Sequence, residues 1–217
     1  MRVLLINPNT NRATTETMAA IARAADPSAR VDGATVASGA PLLVDEALLA
    51  QGARAVVDLA HATDFAAYDG AIVAAFGDPG LASARAICPV PMVGIAEAGM
   101  GEAAAGGRRF VVVTTTTHLV GAIERRAAAY GHAATFAGVR LTEGDIHALM
   151  ADPAALETAL AQACERAIAE DGAQAIVIGG GPLATAARAL VARFAVPIVE
   201  PIPAAMRLLR ERTRLSG

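Results

Sequence analysis

The sequence predicts an α/β protein made of two pseudo-symmetric copies of one unit, each a mostly parallel sheet flanked by helices. Three observations lead there. The first is a pair of runs with one grammar, Ala71 to Leu81 (AIVAAFGDPGL) and Ala175 to Ala184 (AIVIGGGPLA). Each opens apolar on every residue, as a strand covered on both faces does, and ends in small residues that let backbone approach a neighbour. The second is composition: 54% of the 217 residues are hydrophobic but only 3% are aromatic, so the core must be aliphatic strands against Ala-rich helices. The third is self-similarity. Val3 to Asn7 matches Phe110 to Thr114, AIVAAFGDPG matches AIVIGGGPLA, and CPVPMVGIAEA matches FAVPIVEPIPA, at an offset of roughly 106 residues. So long a period marks a duplicated α/β unit and predicts an approximate twofold axis with a cleft between the copies.

In chain order, Val3 to Ile6 reads as a buried strand and Asn7-Pro8-Asn9-Thr10-Asn11 as the turn after it, with Thr14 or Thr15 capping a helix through Ala25. Val31 to Ala37 is a weaker strand, closed by Ser38-Gly39-Ala40-Pro41 before a helix from Asp45 to about Ala62. Asp64 to Asp69 connects to the strand at Ala71, a short helix starts at Leu81, and Pro89 to Ala96 forms another buried strand. Gly99 to Gly107 reads as a small-residue helix or hinge that crosses between the halves. The second round runs through the strand Arg109 to Val113, the turn Thr114 to Thr117 and a helix from His118 to about Tyr130. Ala134 to Leu141 is a weaker strand and Thr142 to Met150 an irregular connector. Asp152 caps a helix with Pro153 at its first position, running to about Glu170. The strand Ala175 to Ile178, a helix to about Phe194, the strand Val196 to Val199 and a C-terminal helix from Ala204 complete the chain.

Several classes are excluded. Net charge is -3 with no basic run, so no nucleic-acid partner is expected. No stretch approaches the roughly 18 to 20 apolar residues of a membrane span. Val3 to Ile6 is too short for a signal-peptide core, which predicts a cytoplasmic protein acting on a small molecule. Cys88 and Cys164 make no metal-type spacing with each other or with His61, His118, His132 or His147, so neither a zinc site nor a disulfide framework is expected. Cys164 falls on the helical stripe Leu156, Leu160, Cys164, Ile168 and is read as core, and Cys88 as structural. Gly179-Gly180-Gly181-Pro182 is not a phosphate loop, since no Lys follows, and no cofactor is implied.

Ligands of open α/β sheets bind at the carboxyl ends of the strands. There the turns Asn7 to Asn11 and Thr114 to Thr117 each precede a helix, whose free N–H groups and dipole favour an anion or a carbonyl oxygen. Asn7, Asn9, Thr114, Thr115, Thr116 and Thr117 are therefore candidate substrate-binding residues, although Asn and Thr also cap helices and close turns. Gly180, Gly181 and Pro182 allow close backbone approach to a ligand. Asp78 is the one ionisable residue on either Gly-rich crest, a candidate acid or base as well as a turn former. Glu97 and Glu200 follow matched strands, where each serves catalysis or caps the next helix. His118 opens a helix at a position from which its imidazole could reach a ligand, although a lone His there is more often a solvated first-turn residue.

Together INPNT, AFGDPGL, VPMVGIAEA, RRFVVVTTTT, EDGAQAIVIGGGPLA and VPIVEPIPAA, in this order from Arg2 to about Arg207, resemble the hydantoin racemase branch of the aspartate/glutamate racemase superfamily. The resemblance implies two flavodoxin-like lobes with the active site between them, a C-terminal segment returning to the first lobe, and homo-oligomers. The lobes are then residues 1–98 plus 204–217 and residues 99–203. It also implies a binding frame of Asn7, Asn9, Gly77, Asp78, Thr114 to Thr117, Gly180, Gly181 and Pro182. Racemases of this family resemble two-base machines, in which one thiol removes a proton and a second returns one on the opposite face. Their cysteines fall at Ala75 and Gly180 here, so the thiol mechanism is not carried over. The resulting expectation is a racemase-like enzyme acting on a small carboxylate or cyclic amide, with an oxyanion held by the two turns. Its protons would pass through Asp78, Glu97, His118 or an ordered water. A hydrolase or decarboxylase on the same frame and a non-catalytic ligand-binding relative are the alternatives.

Overall fold

All strand pairings are parallel, and they build two four-stranded sheets of one order. The computed structural model describes residues 1–216. They divide into two compact units, Met1–Ala98 with the segment from Ile202 onward, and Gly99–Pro201.

In the first unit β1 (Arg2–Asn7), α1 (Arg12–Ala25), β2 (Arg30–Thr35), α2 (Glu46–Ala62), β3 (Gly70–Val73), α3 (Leu81–Ile87), β4 (Met92–Gly94) and the start of α4 (Ile95–Ala104) follow one another. The sheet order β2-β1-β3-β4 makes β1 and β3 central, with Val3 paired to Gly70 and Asn7 to Thr35. Central strands covered on both faces must be apolar throughout, and Val3, Leu5, Ile6, Ala71, Ile72 and Val73 are wholly buried. Ile6, Val56, Phe65, Val73, Leu81 and Met92 meet in the core on one face.

The second unit repeats the pattern with β5 (Phe110–Thr114), α5 (Val120–Ala129), β6 (Phe136–Leu141), α6 (Ile146–Ala151), α7 (Pro153–Ala169), β7 (Ala175–Ile178), α8 (Ala184–Leu190) and β8 (Ile198–Val199), in the order β6-β5-β7-β8. Leu160, Cys164, Ile176, Ile178 and Leu190 form its core, so Cys164 is the core residue its stripe predicts. In a 2-1-3-4 order the chain reverses direction between the two middle strands. Each sheet thus has a switch point at the carboxyl ends of β1 and β3, or of β5 and β7, the place where open α/β sheets bind ligands.

The last helix, α9 (Pro201–Ser216), packs from Ile202 onward in the first unit. Arg210 pairs there with Asp26 and Ser28, and a Cβ on Gly70 would stand 2.7 Å from Leu209 Cδ1. No helix among the described residues is long and apolar enough to cross a membrane.

Local chemistry moves several predicted boundaries. Asn11, not Thr14 or Thr15, caps α1, its side chain accepting from Thr14 N at 3.1 Å, while Thr15 turns inward. The strand expected over Pro89 to Ala96 is only Met92–Gly94, because α4 already begins at Ile95. The irregular connector after Leu141 contains α6, capped by Asp145. The helix expected at His118 opens as a 3-10 turn over Thr117–Leu119, and the C-terminal helix starts at Pro201 rather than Ala204.

Candidate active site

Asn7 ends β1 with no exposed surface. Its side-chain N–H group donates to Asn9 Oδ1 (2.9 Å), the Asn11 carbonyl (3.1 Å) and Thr15 Oγ1 (2.9 Å), while its Oδ1 accepts from Asn9 N at 3.2 Å. Asn9 Oδ1 also accepts from Asn11 N (2.9 Å), Thr10 N donates to the Ala40 carbonyl (3.0 Å), and the hydroxyls of Thr15 and Thr35 stand 2.6 Å apart. The backbone N–H groups of Asn9, Thr10 and Asn11 are thus engaged within the unit and are not the free donors expected of this turn. Short Asn side chains folding back onto their own loop take two of them, and the Ala40 carbonyl takes the third. The Asn9 side-chain N–H group makes no hydrogen bond among the described residues and remains a donor.

The turn after β3 is held differently. Gly77, Asp78 and Gly80 have φ of 104°, 49° and 75°, and Asp78 is the only residue other than Gly with positive φ among those described. Asp tolerates this region because its short side chain hydrogen-bonds locally. Here Asp78, 1% exposed, accepts Ala96 N on Oδ1 (2.8 Å) and Glu97 N on Oδ2 (2.7 Å). The carboxylate caps α4 at the positive end of its dipole, which is why the preceding strand stops at Gly94. A Cβ on Gly94 would overlap Asp78 Cγ and both of its oxygens, so only glycine leaves room for the carboxylate.

Glu97, in the first turn of α4, accepts from Arg85 Nη2 (2.7 Å) and Arg212 Nη2 (2.7 Å). Burial alone would raise its pKa, but the hydrogen bond from Arg212 and the charges of both guanidinium groups outweigh that and hold it below its ordinary 4.5. A depressed carboxylate pKa adds stability that is complete above the unfolded value and disappears as pH falls through the folded one. The stability gap between the natural chain and Glu97→Gln is accordingly expected to be constant near pH 7 and to close below about pH 4. Urea midpoints measured across that range check this, and a gap that stays constant to pH 3 contradicts it.

In the second unit Thr114 ends β5, 1% exposed, with Oγ1 donating to the Gly179 carbonyl at 2.8 Å. Gly179 N in turn donates to the Val113 carbonyl at 2.8 Å, which ties the ends of β5 and β7 together. Thr115 and Thr116 are half-buried, Thr117 and His118 exposed, and none of the four side chains is hydrogen-bonded among the described residues. Gly180 is extended, at φ 161° and ψ 131°, and Gly181-Pro182-Leu183 forms a 3-10 turn. A Cβ on Gly180 would stand 3.1 Å from Leu183 Cγ.

Neither cysteine lies on a strand-end turn: Cys88 closes α3 and Cys164 is in α7. Burial pushes the Cys164 thiol up to about 12, and raises that of Cys88, the residue closing α3. Glu200 pairs with Arg188 at 3.2 Å. No group of His, Cys, Asp and Glu with metal-holding geometry occurs among the described residues. Sequence reasoning did not single out Thr35, Gly94, Arg85 or Arg212. Each matters through a partner distant in the chain, and no local motif marks such a pair.

The buried polar residues of the described chain are Asn7, Asn9, Thr15, Asp78 and Thr114. All lie at or beside the carboxyl ends of the middle strands, so both switch points carry preorganised polar groups in an otherwise apolar interior. Fold and site together define a duplicated, flavodoxin-like α/β protein of the kind that handles small molecules at its strand ends. A family profile described as Asp/Glu/Hydantoin racemase matches residues 3–209, and the chain belongs to that family. It is 31% identical over 213 residues to a hydantoin racemase of Paenarthrobacter aurescens, an alignment covering 96% of this chain and 89% of the relative. Among solved structures, an allantoin racemase from Klebsiella pneumoniae superposes with a TM-score of 0.93 at 32% identity, over 100% of this chain and 89% of the other. An allantoin racemase from Pseudomonas fluorescens gives the same TM-score at 33% identity, over 100% and 92%.

Proposed function

We propose that this enzyme binds a small neutral cyclic amide, of the hydantoin and allantoin kind its relatives are named for, and moves a proton at the ring's chiral carbon without a thiol. The observation carrying this reading is the makeup of the buried polar set. It holds amides and hydroxyls, and its one charge, on Asp78, already faces the start of α4. Arg12, the first cation after the end of β1, is exposed. A buried carboxylate would need a charged partner, whereas a neutral ring needs only matched donors and acceptors.

In this reading the Asn9 side-chain N–H group and the hydroxyls of Thr115 and Thr116 serve ring carbonyls, with Thr117 at the rim. Asn7 and Thr114 shape the two strand ends, and Gly77, Gly180, Gly181 and Pro182 let backbone approach the ring. His118 takes the proton, because Asp78 and Glu97 are held in charge-assisted hydrogen bonds, and water on the opposite face returns one to the enolate. An enolate formed on proton loss is stabilised by the same neutral donors. We take the enzyme to be cytoplasmic from its sequence and homo-oligomeric on the strength of the family resemblance, and light scattering on the purified protein tests the second point.

The test is incubation with L-5-substituted hydantoins and with allantoin in deuterium oxide, followed by chiral and mass analysis. Deuterium at the chiral carbon above the uncatalysed rate, with the opposite enantiomer appearing, is the expected result. A changed product skeleton would instead support a hydrolase or lyase, a second reading favoured by Ala75 and Gly180, neither of which can carry a proton. The absence of both exchange and any new product overturns the proposal.

A further inference from the structure

Two arginines from separate helices converge on the start of α4, where Asp78 is also held. Arg85, in α3 directly after the Asp78 turn, donates from Nε to the Met92 carbonyl (2.9 Å) and from Nη2 to Glu97 Oε2 (2.7 Å). Arg212, in α9, donates from Nη2 to Glu97 Oε1 (2.7 Å) and from Nη1 to Glu97 Oε2 (3.3 Å) and the Met92 carbonyl (3.4 Å). Glu97 Oε2 also accepts from Gly94 N at 3.3 Å, and the Glu97 side chain is only 15% exposed. The end of β4, the first turn of α4, the helix after the crest and the C-terminal helix therefore share one charged cluster. Next to it, the N–H groups of Ala96 and Glu97 hold the Asp78 carboxylate.

We infer that Arg85 and Arg212 are positioning residues, which act through Glu97 to fix the α4 start and so the Asp78 crest on which the proposed reaction depends. Two carboxylates at one helix start repel each other, and the paired guanidinium groups remove that repulsion while fixing the geometry of β4 against α4. A half-buried carboxylate left without its arginines would draw water into the first turn and loosen the two N–H groups that hold Asp78. Arg supplies the flat two-pronged donor that spans both Glu97 and the Met92 carbonyl, and Lys supplies only a point charge. Glu97 thus serves position and not proton transfer. This inference rests on the proposed function for its kinetic arm only.

Amide exchange is read first, on the full chain. In Arg212→Ala and in Glu97→Gln, exchange at Ala96 and Glu97 is expected to rise about tenfold or more, with Ile6 and Val112 unchanged as controls for global folding. Arg212→Lys is expected to recover part of the protection. For turnover of a cyclic amide, kcat/KM should fall about tenfold to a hundredfold in the same variants, since a small misplacement of a site costs that much. Both limbs of the pH profile should stay where they are. Unchanged exchange at Ala96 and Glu97 overturns the inference. So does the loss of a pH limb in Glu97→Gln, which would make Glu97 the proton carrier. If the natural chain neither binds nor turns over any cyclic amide, the proposed function fails, and the exchange data still decide the positioning role.

Discussion

The double variant Ala75→Cys, Gly180→Cys is expected to interconvert hydantoin enantiomers about a hundredfold faster than the natural chain, since a positioned acid–base group contributes roughly 10²–10⁴ in rate. The resemblance puts the family's two thiols at these positions, and the backbone accepts both. Ala75 already carries a Cβ, and its carbonyl accepts from Asp78 N at 3.0 Å whatever the side chain. Gly180 is extended, a conformation open to any residue, and its new Cβ needs Leu183 to yield by a few tenths of an ångström. The single variants separate the two halves of the chemistry. One thiol can remove a proton and return deuterium on the same face, so each single variant is expected to exchange isotope with little inversion. Polarimetry alongside mass analysis distinguishes the three proteins. A double variant no faster than its parent would show that these two positions do not serve the two faces of the reacting carbon.

Gly94→Ala is expected to lower the stability of the first unit by about 3 kcal/mol, combining an overpacked contact with the loss of two charge-assisted caps. In a chain of this size that corresponds to roughly 6–12 °C in Tm, readable by circular dichroism. The added methyl overlaps the Asp78 carboxylate itself, so the damage should depend on that side chain. Combined with Asp78→Ala, Gly94→Ala is expected to cost much less than it does alone, because residues in contact are not additive. Equal costs in the two backgrounds would place the strain elsewhere. Asp78→Asn provides the milder comparison: its amide can accept from one N–H group but not both, a loss of about 1 kcal/mol.

Order and type of the elements were legible because buried parallel strands write themselves as apolar runs, and because the chain writes its unit twice. What failed was settled by distant partners. The end of β4 could not be read from PVPMVGIA, since the residue that starts α4 beneath it is Asp78, eighteen positions earlier. Glu97 reads equally well as a catalyst until Arg212, far along the chain, is seen against it. The helix α6 was missed because six residues are too few for a 3.6 period to emerge, although Asp145 ahead of Ile146, Leu149 and Met150 was a usable cap signal. At the first turn, Asn11, Thr14 and Thr15 are all plausible caps, and only the inward pull of Asn7 on Thr15 decides among them. The polar turns at the strand ends were legible by type and position, but which of their N–H groups the loop itself would take was not written in the residues.

The return of α9 to the first unit has a consequence for synthesis. The second unit is one uninterrupted segment, Gly99–Pro201, whereas the first lacks its closing helix until everything in between has been translated. At roughly 5–20 residues per second, about a hundred intervening residues delay that helix by about 5–20 s. During this interval Gly70 has no Leu209 against it, and Asp26 and Glu97 await Arg210 and Arg212. The ordinary order, in which the amino-terminal domain is complete first on the ribosome, is therefore reversed: the second unit is whole before the first.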